Sequence, residues 1–233
     1  MIFDSSNRTA NLPSDFHFQL NHRYDSFVTS PERTKVISPN TQRGDALART
    51  PPGQTLTKKW PVLHYGSVPQ VDPHDPNWRL RVFGLVENEY ELTFDELLAL
   101  PQIDVVCDMH CVTHWSRLDN TFTGVPTKLL IDRAKPKREA RFVMCHAENG
   151  FTTNVPLPDF TCDDCILAHQ WEGEPLERDH GFPLRGLIPQ LYLWKSAKWI
   201  RAIELRATDA PGFWEQNGYH MRGDPWKEER FGW

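Results

Sequence analysis

The chemistry in this sequence concentrates between residues 104 and 126. Cys107, Asp108, His110, Cys111, Thr113, His114, Ser116, Arg117, Asp119 and Asn120 follow an apolar entry at Val105 and Val106. Thiolates and imidazoles coordinate metals, carboxylates and imidazoles move protons, and arginine binds oxyanions. The apolar entry predicts a strand running into a polar loop, where a rigid scaffold can aim reactive groups. By spacing alone, Cys107, His110, Cys111 and His114 form a Cys-x-x-His-Cys-x-x-His set that could hold zinc. The same residues could also pack in or beside a core, since free cysteine is among the most buried residue types.

Three other stretches carry candidate groups. Residues 60–69 are extended and bounded by proline, with His64 and Tyr65 at their centre. Residues 179–201 combine His180, Arg185, Ser196, Ala197 and Lys198 with turn-forming Gly181, Pro183 and Pro189. Lys195 in that stretch reads as a solvated lysine on one face of a strand. Cys162 and Cys165 form a Cys-x-x-Cys pair, with His169 four residues on. Three ligands are one short of a closed structural zinc site, so surface-helix thiols are the expectation there.

The run His110-Cys111-Val-Thr-His114-Trp115-Ser116, followed by Asp119-Asn120 and Phe122-Thr-Gly124-Val125-Pro126, resembles the cysteine loop of sulfite-oxidase-like molybdopterin oxidoreductases. Residues 179–201 resemble that family's second signature, and the likeness spans roughly residues 55 to 226. The resemblance implies that Cys111 is the molybdenum ligand, with Mo-molybdopterin as cofactor. It puts His64, Tyr65, His180, Arg185, Ser196, Ala197 and Lys198 against the pterin and its phosphate, where Arg and Lys suit an anion. It leaves His114 and Arg117, on the cysteine loop, as groups that could face the substrate. The arginine that sulfite oxidases carry before the pterin-contacting pair is Leu63 here. Losing a bidentate oxyanion partner argues against sulfite. Some bacterial relatives reduce sulfoxides, so the implied reaction class is two-electron oxygen-atom transfer on a small substrate. A separate electron-transfer partner is implied. Two alternatives stand beside this: a zinc protein using the 107–114 set, and a non-catalytic binding module on the same fold.

Positioning such groups needs a strand-and-loop scaffold. The chain has 233 residues, enough for one large domain or two small ones. Its 19 prolines and 9 tryptophans suit short strands and loops better than a helix bundle. The expected class is α+β: a mixed, β-rich, sulfite-oxidase-type molybdopterin-binding domain with several sheets and short helices. Alternation over residues 78–92 predicts two short strands with a turn near Asn88. Thr93 and Glu96 form a capping box for a helix that Pro101 closes. Residues 126–134 predict a second helix, and residues 141–147 a core strand. Residues 1–56 read as an irregular arm, and residues 57–233 as a single domain with an aromatic tail. In that tail Trp214 and Trp226 are expected to pack on the domain, with Tyr219, His220 and Arg222 able to lean over the pocket.

A net charge of −5 gives no global basic bias of the kind nucleic-acid binders show. No apolar run reaches about 18 residues, so no membrane span is expected. No basic-then-apolar leader opens the sequence, which points to a cytoplasmic protein. Five cysteines in such a chain argue against a disulfide framework.

Overall fold

A computed structural model describes residues 33–232. Twelve strands run through it: β1 (Thr34–Ile37), β2 (Thr55–Leu56), β3 (Leu80–Gly84), β4 (Tyr90–Leu92), β5 (Ile103–His110), β6 (Trp115–Pro126), β7 (Phe142–Ala147), β8 (Thr152–Pro156), β9 (Ile166–Trp171), β10 (Glu174–Pro175), β11 (Arg185–Leu187) and β12 (Ile200–Arg206). Four short helices join them: α1 (Phe94–Leu98), α2 (Thr127–Ala134), α3 (Leu157–Phe160) and α4 (Phe213–Gln216).

The strands form two sheets. The seven-stranded sheet runs β1-β5-β6-β9-β10, with β11 also on β9 and β2 on β6. The five-stranded sheet runs β4-β3-β12-β7-β8. Most pairs are antiparallel, but β1 on β5, β2 on β6 and β12 on β3 are parallel. Mixed sheets with few, short helices make the fold α+β, as the composition predicts.

Alternation along the strands decides which way each side chain goes. On β9, Leu167 enters the larger core with Leu80, Leu130, Val143 and Ile203. Its neighbours Ile166 and Ala168 enter a second core with Val105, Cys107, Met109 and Phe122. Strand β9 is therefore buried on both faces. At Gly124 the β6 backbone lies so close to β9 that an added Cβ would stand 2.1 Å from the Leu167 carbonyl oxygen. Helix α1 has the expected cap: Thr93 Oγ1 accepts from Glu96 N, and Glu96 Oε2 accepts from Thr93 N.

Four expectations need correction. The boundary at residue 56 falls inside the domain, because β1 extends the large sheet and Ser38 N donates to Val106 O; the remainder of the expected arm, residues 1–32, lies outside the described residues. The polar stretch after Val106 is a hairpin, with only residues 111–114 outside its strands. Its polar residues remain extended because each finds a partner across the ladder or from outside. Asp108, for example, accepts two hydrogen bonds from the Arg49 guanidinium at 2.6 and 2.9 Å. Cys162 and Cys165 sit on a turn after α3, and Cys165 is fully buried. Lys195 is not solvated: a short 3₁₀ turn carries it into the interior, where Glu215 takes its charge.

Candidate functional site

A cavity of about 270 Å³ opens between the hairpin tip, the segment 60–65, the residues before β12 and the C-terminal segment. Its wall contains Cys111, Val112 and Thr113 from the tip, and Trp115 at the start of β6. Leu63, His64 and Tyr65 come from the extended segment. Arg185, Ser196, Ala197 and Lys198 come from the other side. Phe151, Trp194, Trp199, Trp214 and Tyr219 make the rest largely aromatic.

The hairpin tip sets the thiol. His114 N donates to Cys111 O at 3.1 Å and Cys111 N donates to Trp115 O at 2.9 Å, so residues 111–114 close a tight turn. The turn requires a left-handed backbone at His114, φ 67°, a conformation histidine tolerates better than most side chains. His114 Nδ1 donates to Gly53 O, and the Gln54 amide donates to Cys111 O, so the segment before β2 braces the tip. Arg230, from the far end of the chain, donates to Val112 O at 2.7 Å and to Pro52 O at 3.4 Å. Cys111 itself is 7% exposed, and its Sγ lies 3.1 Å from Thr113 Oγ1. Burial pushes its thiol up. The Thr113 hydrogen bonds and the Arg230 and Lys198 charges act against that.

Two cations stand in the cavity wall without an ion pair among the described residues, although the Asp179 charge acts on Lys198. The fully buried Arg185 guanidinium donates to three backbone carbonyls, those of His180, Gly186 and Ser196. Lys198 Nζ donates to Leu63 O and Asp179 O, also backbone. Burial lowers Arg185 to about 10 and, with Arg185 beside it, Lys198 to about 7. A buried cation held by carbonyl dipoles and an indole face, with no ion pair, is costly, and an anion in the cavity would relieve it. A buried N–H without a partner, Trp115 Nε1, belongs to the same wall. The thiol, the two cations and this donor fit an anionic, metal-bearing pterin.

The remaining sequence-predicted residues lie elsewhere. His180 is outside the cavity wall: its ring stacks on Trp60 at 3.8 Å and 14°, with the Arg185 guanidinium 5.3 Å from the same indole. Arg117 points away from the cavity, over the Trp171 ring and onto Lys58 O and Asn120 Oδ1. His114 is committed to Gly53. Neither His114 nor Arg117 lines the cavity: the tip turn ties His114 to Gly53, and the Arg117 side chain lies along the Trp171 ring instead. Cys107 is buried in the second core, and His110 Nδ1 is 2.8 Å from Ser116 Oγ. The 107–114 zinc set therefore does not converge. Among the described residues, the groups whose ligand atoms do converge are Cys162, Asp164 and Cys165, and Glu177, Asp179 and His180.

Trp60 and Arg230 are functional residues that the sequence reading does not single out. Trp60 had a signal in its Trp-Pro start to the extended segment. Arg230 had none, being more than a hundred residues from the tip it braces.

Comparisons with known proteins give the family and the fold. The family model described as "Oxidoreductase molybdopterin binding domain" matches residues 65–214. "Uncharacterized oxidoreductase YuiH" of Bacillus subtilis (strain 168) is 49% identical over 193 residues, covering 83% of this chain and 97% of that protein. Sulfite oxidase of Arabidopsis thaliana is 28% identical over 194 residues, 68% of this chain and 49% of that one. Nitrate reductase [NADPH] of Emericella nidulans is 34% identical over 188 residues, but this chain spans only 21% of it. Among solved structures, the sulfane dehydrogenase SoxCD of Paracoccus pantotrophus superposes with a TM-score of 0.58 at 21% identity. That match covers 66% of this chain and 43% of the SoxCD chain, and it shows the fold alone. The chain belongs to the sulfite-oxidase-type family of molybdopterin-binding oxidoreductases, whose cofactor is Mo-molybdopterin.

Proposed function

We propose that this oxidoreductase transfers an oxygen atom to or from a small substrate other than sulfite, with Cys111 as the protein ligand to molybdenum. The observation that supports this most is that Cys111 is the thiol of the cavity wall, held on a braced turn and sharing that wall with two cations that form no ion pair among the described residues. Bound there, the molybdenum centre would supply the two-electron redox change and the transferable oxygen.

The chain's own residues do the rest. Lys198 and Arg185 hold the anionic cofactor by charge-assisted hydrogen bonds. Ser196 and Ala197 shape the wall between them, and Ser196 Oγ accepts from Ile188 N to fix that loop. His64 and Tyr65 border the pterin from the other side. His180 acts from behind, setting the plane of Trp60 by stacking. Tyr65, Trp214 and Tyr219 restrict water at the mouth, where apolar surface favours an uncharged substrate over a hydrated anion. Leu63 lines the same wall, and Arg117 is turned away. Among the described residues the cavity thus offers a substrate anion no guanidinium beyond the one assigned to the cofactor. Electrons leave or arrive through a separate protein. Among the described residues no helix is long and apolar enough to cross a membrane.

The test is metal content by mass spectrometry on protein from a molybdate-fed host that makes the cofactor, beside Cys111→Ser. About one molybdenum per chain, pterin fluorescence after oxidation and a changed metal spectrum in the variant are expected. An unchanged metal spectrum in Cys111→Ser would remove Cys111 from the metal.

A further inference from the structure

The turn after α3 gathers a second set of ligands, away from the cavity. Cys165 N donates to Cys162 O at 3.0 Å, closing residues 162–165 into one turn. That closure brings Cys162 Sγ, Cys165 Sγ and an Asp164 carboxylate oxygen within 4.8 Å of one another. Asp164 is 5% exposed and Cys165 is fully buried. Cys162 is half-buried and opens on a cleft of about 560 Å³ that Ser38, Asp164 and Gln190 also line. Ser38 Oγ donates to Asp164 Oδ2 at 2.6 Å, leaving the second carboxylate oxygen toward Cys165 Sγ at 4.0 Å. Gln190 Oε1 stands 3.6 Å from the same sulfur. A carboxylate oriented by an outer hydroxyl is the usual support for a metal ligand.

Two readings of a Cys-x-x-Cys pair compete here, a redox dithiol and a metal clasp. The surroundings decide between them. The Cys165 hydrogen bond holds the Cys162 thiol below its ordinary value, while burial and the charges of Asp164, Asp159 and Asp163 act against that; among the described residues Asp159 alone of the three forms an ion pair, with Arg222 at 2.8 Å. Reactive dithiols sit in electropositive surroundings that favour a free thiolate. This turn is electronegative and favours a dication instead. In their protonated forms the thiols donate to Pro158 O and Asp159 O, so the sulfurs already point into the turn.

We propose that Cys162, Asp164 and Cys165 bind a divalent thiophilic metal ion of the zinc class, with the fourth position facing the cleft. Binding moves no electrons. Each S–H bond releases a proton to solvent as a sulfur–metal bond forms, so two protons leave per ion. Two thiolates and one carboxylate suit zinc over magnesium or calcium, which prefer oxygen. Because Asp164 is tied to Ser38, the ion would clasp the turn between α3 and β9 to the segment after β1. The inference is independent of the pterin cavity.

Cobalt(II) titrated into the cofactor-loaded full chain under reductant tests this. One cobalt per chain is expected, with a sulfur-to-cobalt charge-transfer band that zinc(II) abolishes. Cys162→Ser replaces a half-exposed side chain; its circular dichroism should be unchanged and its charge-transfer band should fall by about half, with affinity at least about tenfold weaker. Asp164→Asn should keep the band and weaken binding by about tenfold. Absence of the band, a band unaltered in Cys162→Ser, or a chain two hydrogens lighter that takes no cobalt would each overturn the proposal. The last of these would establish the dithiol reading instead.

Discussion

Lys195 Nζ lies 2.5 Å from Glu215 Oε1, and neither side chain has any exposure. The hydrogen bonds gather on Glu215 Oε1, and Oε2 is buried without one. Lys195 also donates to Asn154 Oδ1, Asn154 O and Met221 O. Glu215 also accepts from Trp194 Nε1 at 2.8 Å. Burial lowers the Lys195 ammonium from its ordinary range, and Glu215 raises it again. The consequence is positional. Glu215 is in α4, one residue after Trp214, and Lys195 is one residue before Ser196. The ion pair therefore ties the aromatic roof of the cavity to the wall that carries Lys198.

Lys195→Met leaves a buried carboxylate without its cation. A loss of about 3–5 kcal/mol in unfolding free energy is expected. Lys195→Met with Glu215→Gln together should cost less than the two single changes added, because the double variant buries no lone charge. Denaturant unfolding of all four proteins measures this. Additive losses would mean the two side chains are not coupled.

Lys198→Met separates cofactor binding from folding. In the chain without cofactor, it removes a mostly buried ammonium held by two carbonyls and an indole face, so the melting temperature should change little. Pterin retention should fall about tenfold for each charge-assisted hydrogen bond lost, near 1.4 kcal/mol each. Pterin released per chain and the melting temperature of the cofactor-free protein are the two readings. A large drop in the second would make Lys198 a folding residue instead.

Acid should destabilise the fold through His169. Its ring is largely buried beside Gln102, with Nε2 and Gln102 Oε1 3.1 Å apart, and burial followed by the Arg33 charge lowers it to about 4. An imidazole with a folded value below its unfolded value favours the folded state when neutral. Its contribution is complete above about pH 6.5 and is lost as pH falls toward 4. The loss should be about 2 kcal/mol, discounted for partial solvent access. His169→Gln should flatten the stability curve between those two pH values, as read by urea unfolding at each pH. An unchanged slope in that interval would contradict it.

Two glycines should respond to alanine for different reasons. At Gly124 an added Cβ meets the Leu167 carbonyl oxygen at 2.1 Å, so β6 and β9 must separate. A loss of about 3 kcal/mol is expected for Gly124→Ala. At Gly150 nothing lies within 4 Å and only φ +79° opposes a side chain. There the cost should be about 1 kcal/mol. Thermal unfolding distinguishes them, and equal losses would count against crowding at Gly124.

Much of this molecule is legible without coordinates. The capping box at Thr93 and Glu96 is a local signal, and α1 forms with that cap. The alternation over residues 78–92 becomes β3 and β4, since a period of two is set by the pleat itself. The polar run from Cys107 to Asn120 predicts a loop, yet it forms the paired strands β5 and β6. Polarity was a poor guide there, as the ladder to β5 and partners such as Arg49 satisfy those groups.

What the sequence by itself determined is the inventory and, by resemblance, the family: a cysteine in a specific motif, cations that the resemblance sets against an anionic cofactor, and a strand-rich α+β chain. These are local, and motif and period carry them. Only the tertiary structure decided which groups meet. It buried Lys195 against Glu215, drew Arg230 to the hairpin tip, turned Arg117 away, and tied Asp164 to Ser38. The physical reason is that burial and pairing depend on what packs across many tens of residues. A charge that spacing marks as solvated stays buried once a distant segment brings its partner.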